Sequence, residues 1–247
     1  MKDNRIQDKE YTEGISIPKG RFLKWLDNYW YHYKWVTIIV AFFVIVTVIC
    51  TVQMCSKPQN DLVVVYAGRN TLSAEEQNNV TKVLEAISPR DFDGNGERNI
   101  AINAFTVLSE DQVEEQRAQT DEDGKPLYID NSYNAKQFDT YSNYIMTGES
   151  SVLFLDPWLY ESLVSAGRLK GLEEIFGYVP DSAYGAYGVR LGDTDLYYSY
   201  AVMRLLPEDT VICLLQPYVA GNSSKKEYYA REIDMFEAIV TYREGGN

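Results

Sequence analysis

The sequence predicts an α/β domain with a largely parallel sheet, carried on a single transmembrane helix, and three observations predict it. Residues 36–52 are an apolar run without a charge, an amide or a glycine. Beyond it, two continuous apolar segments of strand length, Leu62–Ala67 and Val152–Leu155, stop at Gly68 and Asp156. Between such segments the apolar residues recur at helical spacing, and alternation of strand and helix is the pattern of α/β domains.

Residues 1–20 read as a polar tail and residues 21–35 as an aromatic segment. Its Phe22, Trp25, Leu26, Tyr29, Trp30 and Tyr33 fall on one helical face, as in an amphipathic helix at the headgroup level. Residues 36–54 read as the span itself, since roughly 20 residues cross a hydrocarbon core of about 30 Å and only a helix satisfies its backbone there. Residues 55–60 form a linker to an outer domain at 61–247. Arg21, Lys24 and Lys34 flank the run on its amino side against Lys57 on the other, so the positive-inside rule places the N-terminus in the cytoplasm and the domain outside. A cleaved signal peptide is the competing reading. The long region before the run and Val52-Gln53-Met54 after it argue against cleavage, and Met54 before Cys55 argues against a lipidated cysteine.

In the outer domain, Asp61–Gly68 reads as a buried first strand. Ser73-Ala74-Glu75-Glu76 has the form of a capping box, and Val80, Val83, Leu84 and Ile87 continue a helix to Ser88-Pro89. Asn99–Leu108 reads as the second strand. Residues 109–134 read as a helical start followed by a loop, and Ala135–Thr147 as a helix closed by Gly148. Ser151–Leu155 is a third strand, and Asp156-Pro157 opens the next helix with proline in its first turn. A strand-rich end follows, with strands at Tyr187–Leu191 and around Cys213 flanking a turn at Asp193-Thr194 and the aromatic run Tyr197–Tyr200. A final amphipathic helix covers Ala230–Tyr242.

Charge narrows the partners. The chain carries a net −13. Residues 1–34 hold seven basic and five acidic side chains, so all of the acidic excess lies beyond them. An acidic domain repels phosphate backbones, which excludes nucleic acid as a partner and leaves the bilayer and a membrane-protein partner. The sole histidine, His32, lies before the span, so the outer domain has no Ser-His-Asp triad, Cys-His pair or His-ligated zinc site. Cys50, Cys55 and Cys213 have neither metal spacing nor a disulfide framework, and Cys213 reads as a small core hydrophobe.

Two constellations carry chemistry. In Asp91-Phe92-Asp93-Gly94-Asn95-Gly96, oxygen side chains at positions one, three and five with glycine at six match the start of an EF-hand calcium loop. Position twelve is Ile102 where that loop needs a bidentate glutamate, and a strand follows instead of a helix. The alternative is a plain turn with Asn95-Gly96 at positive φ. No cofactor is assigned, calcium at Asp91 to Asn95 being the alternative. Second, Tyr184, Tyr187, Tyr197, Tyr198, Tyr200, Tyr218, Tyr228 and Tyr229, with Trp158, either line a ligand cleft or form an aromatic sheet face and rim.

The block Asp27–Trp35 ahead of a membrane helix resembles the anchor of single-pass membrane proteins of Clostridia-type Gram-positive bacteria. Ile145–Asp156, Leu163–Leu172 and Tyr187-Gly188-Val189 resemble the helix-strand-helix stretch and crossing strand of type 2 extracellular solute-binding proteins. That resemblance implies one lobe of a two-lobed fold with a reduced remnant of the second, and transfers no binding residue. Together these readings predict a membrane-anchored, non-enzymatic extracellular domain that binds a ligand or partner protein. A structural or assembly subunit of a membrane complex is the alternative. No catalytic residue is assigned.

Overall fold

The computed structural model describes residues 20–55, 60–120, 124–217 and 223–245. The chain divides into two compact units, Met1–Lys57 and Pro58–Asn247. In the first, Arg21–Cys55 form one uninterrupted helix, α1, so the aromatic segment and the apolar run share a single axis without a break. Trp25 stacks on Tyr29 and Tyr29 on Tyr33, with ring centroids 5.7 and 5.4 Å apart, as residues four apart on a helix should. Within it, Asn28–Val52 is long and apolar enough to cross a membrane, and its apolar stretch is not buried against any of the described residues.

The second unit is built on a six-stranded mixed sheet in the order β2-β1-β3-β6-β5-β4. Its strands are β1 (Leu62–Gly68), β2 (Ile100–Thr106), β3 (Val152–Leu155), β4 (Ala183–Tyr184), β5 (Gly188–Arg190) and β6 (Val211–Leu214). β1 lies parallel to both β2 and β3, while β3-β6, β6-β5 and β5-β4 are antiparallel. The expectation of a largely parallel sheet therefore holds for only half of it. The physical reason lies in the connections. Parallel neighbours need a long crossover, which helices supply up to β3, whereas β4 and β5 are joined by a short turn through Gly185 at φ +73° and must run antiparallel.

Both faces of the sheet are covered. On one, Leu62, Val64, Tyr66, Phe154, Ile212 and Leu214 pack against α2 (Ala74–Ile87) and α8 (Ser223–Val240) through Val80, Leu84, Met235, Phe236 and Ile239. On the other, Val65, Ala67, Leu153, Leu155, Val211 and Cys213 pack against α4 (Asn131–Thr147) and α5 (Pro157–Ser165) through Tyr141, Ile145, Leu159 and Tyr160. Alternate residues of each strand thus feed opposite cores, which is why these strands read as continuous apolar runs.

The helix starts follow local chemistry. Ser73 Oγ accepts from the Glu76 N–H (3.3 Å) while Glu76 Oε2 accepts from the Ser73 N–H (2.7 Å), and Ser109 with Gln112 repeats this box at α3 (Glu110–Arg117). α4 begins at Asn131, inside the segment expected to be loop, because Asp130 accepts from the Ser132 and Tyr133 N–H groups. α8 likewise starts before Ala230. The expected strand-rich end is largely helical between β5 and β6: a 3₁₀ turn at Leu191–Asp193, α7 (Asp195–Ser199) and a second 3₁₀ turn at Ala201–Leu205. Thr194 caps α7, and burial of Leu196 and Met203 fixes it to the core. The short α6 (Leu172–Phe176) precedes β4.

Candidate functional site

Strand order 2-1-3 means that the chain leaves β1 to one side for β2 and returns past it to β3. The carboxyl ends of β1 and β3 therefore flank the topological switch point, where ligands of open α/β sheets bind. Gly68-Arg69-Asn70 and Asp156-Pro157 emerge there. Arg69 makes a bidentate pair with Asp209 (3.0 and 2.6 Å) and reaches Asp156 Oδ2 at 3.3 Å, to which Gln112 Nε2 also donates at 3.0 Å. Asp156 is only 4% exposed. Burial pushes its carboxyl above the usual range, opposed by the Gln112 hydrogen bond and the Arg69 charge. The Asp209 hydrogen bonds hold the Arg69 guanidinium firmly charged. This network ties the ends of β1 and β3, α3 and the turn before β6 together.

Beside it lies an open groove of about 740 Å³ between the start of α3, the first half of α4 and the beginning of α5. Asn134 fixes one wall, accepting from the Leu108 N–H and donating to the Leu108 carbonyl, both at 2.9 Å. Phe138 stacks on Trp158 with centroids 6.0 Å apart, making an aromatic floor. The indole Nε1 of Trp158 is buried and donates to no acceptor among the described residues. Glu110, Asp111 and Glu114 give the rim a negative charge, and Arg117, which donates to Asn131 Oδ1 at 2.7 Å, is the basic member. The groove thus offers an aromatic surface, one free buried donor and an acidic edge.

At the opposite, amino ends of β1 and β2, carboxylate oxygens of Asp61, Asp91 and Asp93 lie within 4.8 Å of one another. Asp91 and Asp93 sit in the loop singled out from the sequence. Asp61 had no signal of its own; only the register Leu62↔Ile100, which sets Asp61 beside Asn99, brings it there.

The tyrosines do not assemble into one cleft. Tyr184 packs on Tyr160 and under the Arg190 guanidinium, Tyr200 on Tyr242, and Tyr198 is exposed. Tyr228 Oη accepts from the Val63 N–H and Tyr229 Oη donates to the Leu215 carbonyl, so both brace α8 against the sheet. Tyr218 lies outside the described residues. Trp158 does line a groove, but with Phe138 and not with the tyrosines. Comparison with protein-family models, with curated proteins and with solved structures finds no match to this chain.

Proposed function

We propose that this chain is a membrane-anchored, non-enzymatic binding domain, held outside the cell with its N-terminus in the cytoplasm, and that the α3-α4-α5 groove is where its ligand or partner lies. One observation carries the proposal: a groove of about 740 Å³, within the usual size of ligand sites, has an unpartnered buried indole donor on an aromatic floor beside the switch point. The acidic rim favours a small amphipathic ligand or peptide segment with a positive charge at its outer end and an acceptor for the Trp158 N–H.

The similarity to a type 2 solute-binding lobe gives the proposal its context. β1 ending at Gly68, β3 running into Asp156, and Gly167-Arg168-Leu169 after α5 are the features of that resemblance. Because residues 58–247 make one unit, a ligand here lies on one wall and is not enclosed between two lobes. The outward orientation rests on the Arg21, Lys24 and Lys34 bias. An assembly subunit of a membrane complex is the second reading, favoured by the Trp25-Tyr29-Tyr33 stack, a ready lateral contact for another membrane helix.

Trp158 is the one tryptophan beyond α1, since Trp25, Trp30 and Trp35 account for the other three. With Trp25, Trp30 and Trp35 replaced by phenylalanine, the full-length chain in non-ionic detergent should therefore change its Trp158 emission and melt later with some member of a panel of amino acids, polyamines, sugars and short basic peptides. Phe138→Ala should remove the effect. A panel without any response would defeat small-ligand capture and leave the assembly role.

A further inference from the structure

We propose that Asp61, Asp91 and Asp93 form a calcium site that clamps the loop before β2 to the start of β1. The loop carries oxygen side chains at three alternate positions, Asp91, Asp93 and Asn95. Asp91 accepts from the N–H groups of Asp93 (3.2 Å), Gly94 (2.8 Å) and Gly96 (2.7 Å), and Asp93 from that of Asn95 (2.9 Å). The chain is thus wound around its own carboxylates, with Gly94 and Gly96 at positive φ. What the loop lacks, relative to a calcium-binding EF-hand, is the distant bidentate carboxylate: that position is Ile102, buried in β2.

Asp61 supplies a carboxylate from another direction. Its N–H donates to the Asn99 carbonyl at 2.7 Å, and its Oδ2 accepts from the Asn99 N–H at 3.1 Å, so the β1-β2 ladder positions it rigidly. A separate observation points to a ligand: Asp61 is only 4% exposed, yet its Oδ1 is buried with no hydrogen-bond partner among the described residues. An orphaned oxygen on a buried carboxylate is strongly unfavourable unless a donor or cation meets it. No lysine or arginine among the described residues forms an ion pair with Asp61, Asp91 or Asp93. Three carboxylates so close together, one of them with an orphaned oxygen, call for a bound positive charge.

The chemistry selects the cation. All the donors are oxygens, which suits a hard ion and not zinc or copper. The three oxygens lie close enough to meet one ion, and an irregular set of carboxylates drawn from a loop and a strand end suits the flexible coordination of calcium better than the strict octahedron that magnesium demands. Water would fill the remaining positions of such a shell. Three carboxylates in a partly exposed loop correspond to the weak range of extracellular modules, a Kd of about 10⁻⁴–10⁻³ M. The site lies at the end of the sheet away from the groove and does not depend on it.

The test is calorimetric titration of the chelator-treated full chain in non-ionic detergent with CaCl₂, and separately MgCl₂, alongside thermal melting. One calcium per chain is expected, with a later melt and magnesium at least tenfold weaker. Asp93→Asn, at an exposed position that leaves folding intact, should weaken calcium at least tenfold, and Asp61→Asn should abolish both heat and melting shift. Should Asp61→Asn fail to fold, Asp93→Asn decides alone. A folded wild type that gives neither heat nor shift at about 10 mM calcium, some tenfold above the weakest expected Kd, overturns the proposal. Calcium binding unchanged by Asp93→Asn overturns it equally.

Discussion

Glu232 shows how much one buried side chain sets for the whole domain. It sits on the inner face of α8, 2% exposed, and accepts from the Ser151 N–H at the start of β3. Burial pushes its carboxyl from 4.5 up to about 7, against the opposing pull of the Ser151 hydrogen bonds. Tyr228, Tyr229 and Tyr144, the ionisable groups facing it, are neutral at that pH and offer no countercharge. Between pH 4.5 and 7 the native state keeps a proton that the unfolded chain has lost, so this group's contribution is full below about pH 4.5 and declines as pH rises through 7. At about 1.4 kcal/mol per tenfold change in proton affinity, the loss is a few kcal/mol. Glu232→Gln keeps the acceptor and removes the titration. Urea unfolding followed by Trp158 emission should show wild-type stability falling from pH 5 to pH 8 markedly more than that of the variant, and superimposable profiles would show that Glu232 does not titrate there. Asp91 has the opposite sign: its hydrogen bonds, led by that from the Gly96 N–H, hold its carboxyl low, so its contribution is lost on acidification instead.

Among the elements, several with a local start or stop signal were legible in the sequence, whereas the Asp130 cap of α4 and the Thr194 cap of α7 lie in segments that read as loop and turn. The Ser73-Glu76 box, Pro157 at the first turn of α5 and Gly148 at φ +65° after α4 are local devices, and each element stands where they put it. Strand direction was not legible beyond β3, because pairing partners are chosen by contacts far along the chain, and three residues in β5 are too few for an alternating pattern. The same limit governed the sites. The loop Asp91–Gly96 could be read as a motif, but Asp61 reaches it only through strand register, and Phe138 meets Trp158 only when α4 and α5 pack on one face. Gly188 in β5 illustrates such a long-range constraint. A Cβ there would meet Val211 Cγ1 at 2.6 Å, the Tyr160 ring at 2.8 Å and the Ile212 carbonyl at 3.2 Å, so the glycine lets β5 lie against β6 under α5. Gly188→Ala overpacks this joint and should cost about 1–3 kcal/mol. Its thermal midpoint should fall by several degrees, whereas an unchanged midpoint would mean that the strand pair yields without strain.

At the scale of the whole molecule, the two units present opposite kinds of surface. α1 presents Phe42, Phe43, Ile45 and Ile49 uncovered around its circumference, an apolar surface that none of the described residues hides and that water would leave poorly solvated. Residues 58–247, by contrast, bury two apolar cores drawn only from residues 62–242, one on each face of the sheet. A unit with its own complete core folds without its tether. Its acidic excess, lying wholly beyond residue 34, keeps it from anionic lipid. A chain beginning at Pro58 should therefore be soluble without detergent and unfold cooperatively at the same urea midpoint as the full chain in micelles. The full chain should remain with the membrane fraction after alkaline extraction, which strips proteins held only at the surface. Aggregation of the shortened chain, or a clearly lower midpoint, would show that α1 supplies part of the fold of residues 58–247. Release of the full chain by alkali would show that α1 is not a span, and with it would go the outward placement of the groove.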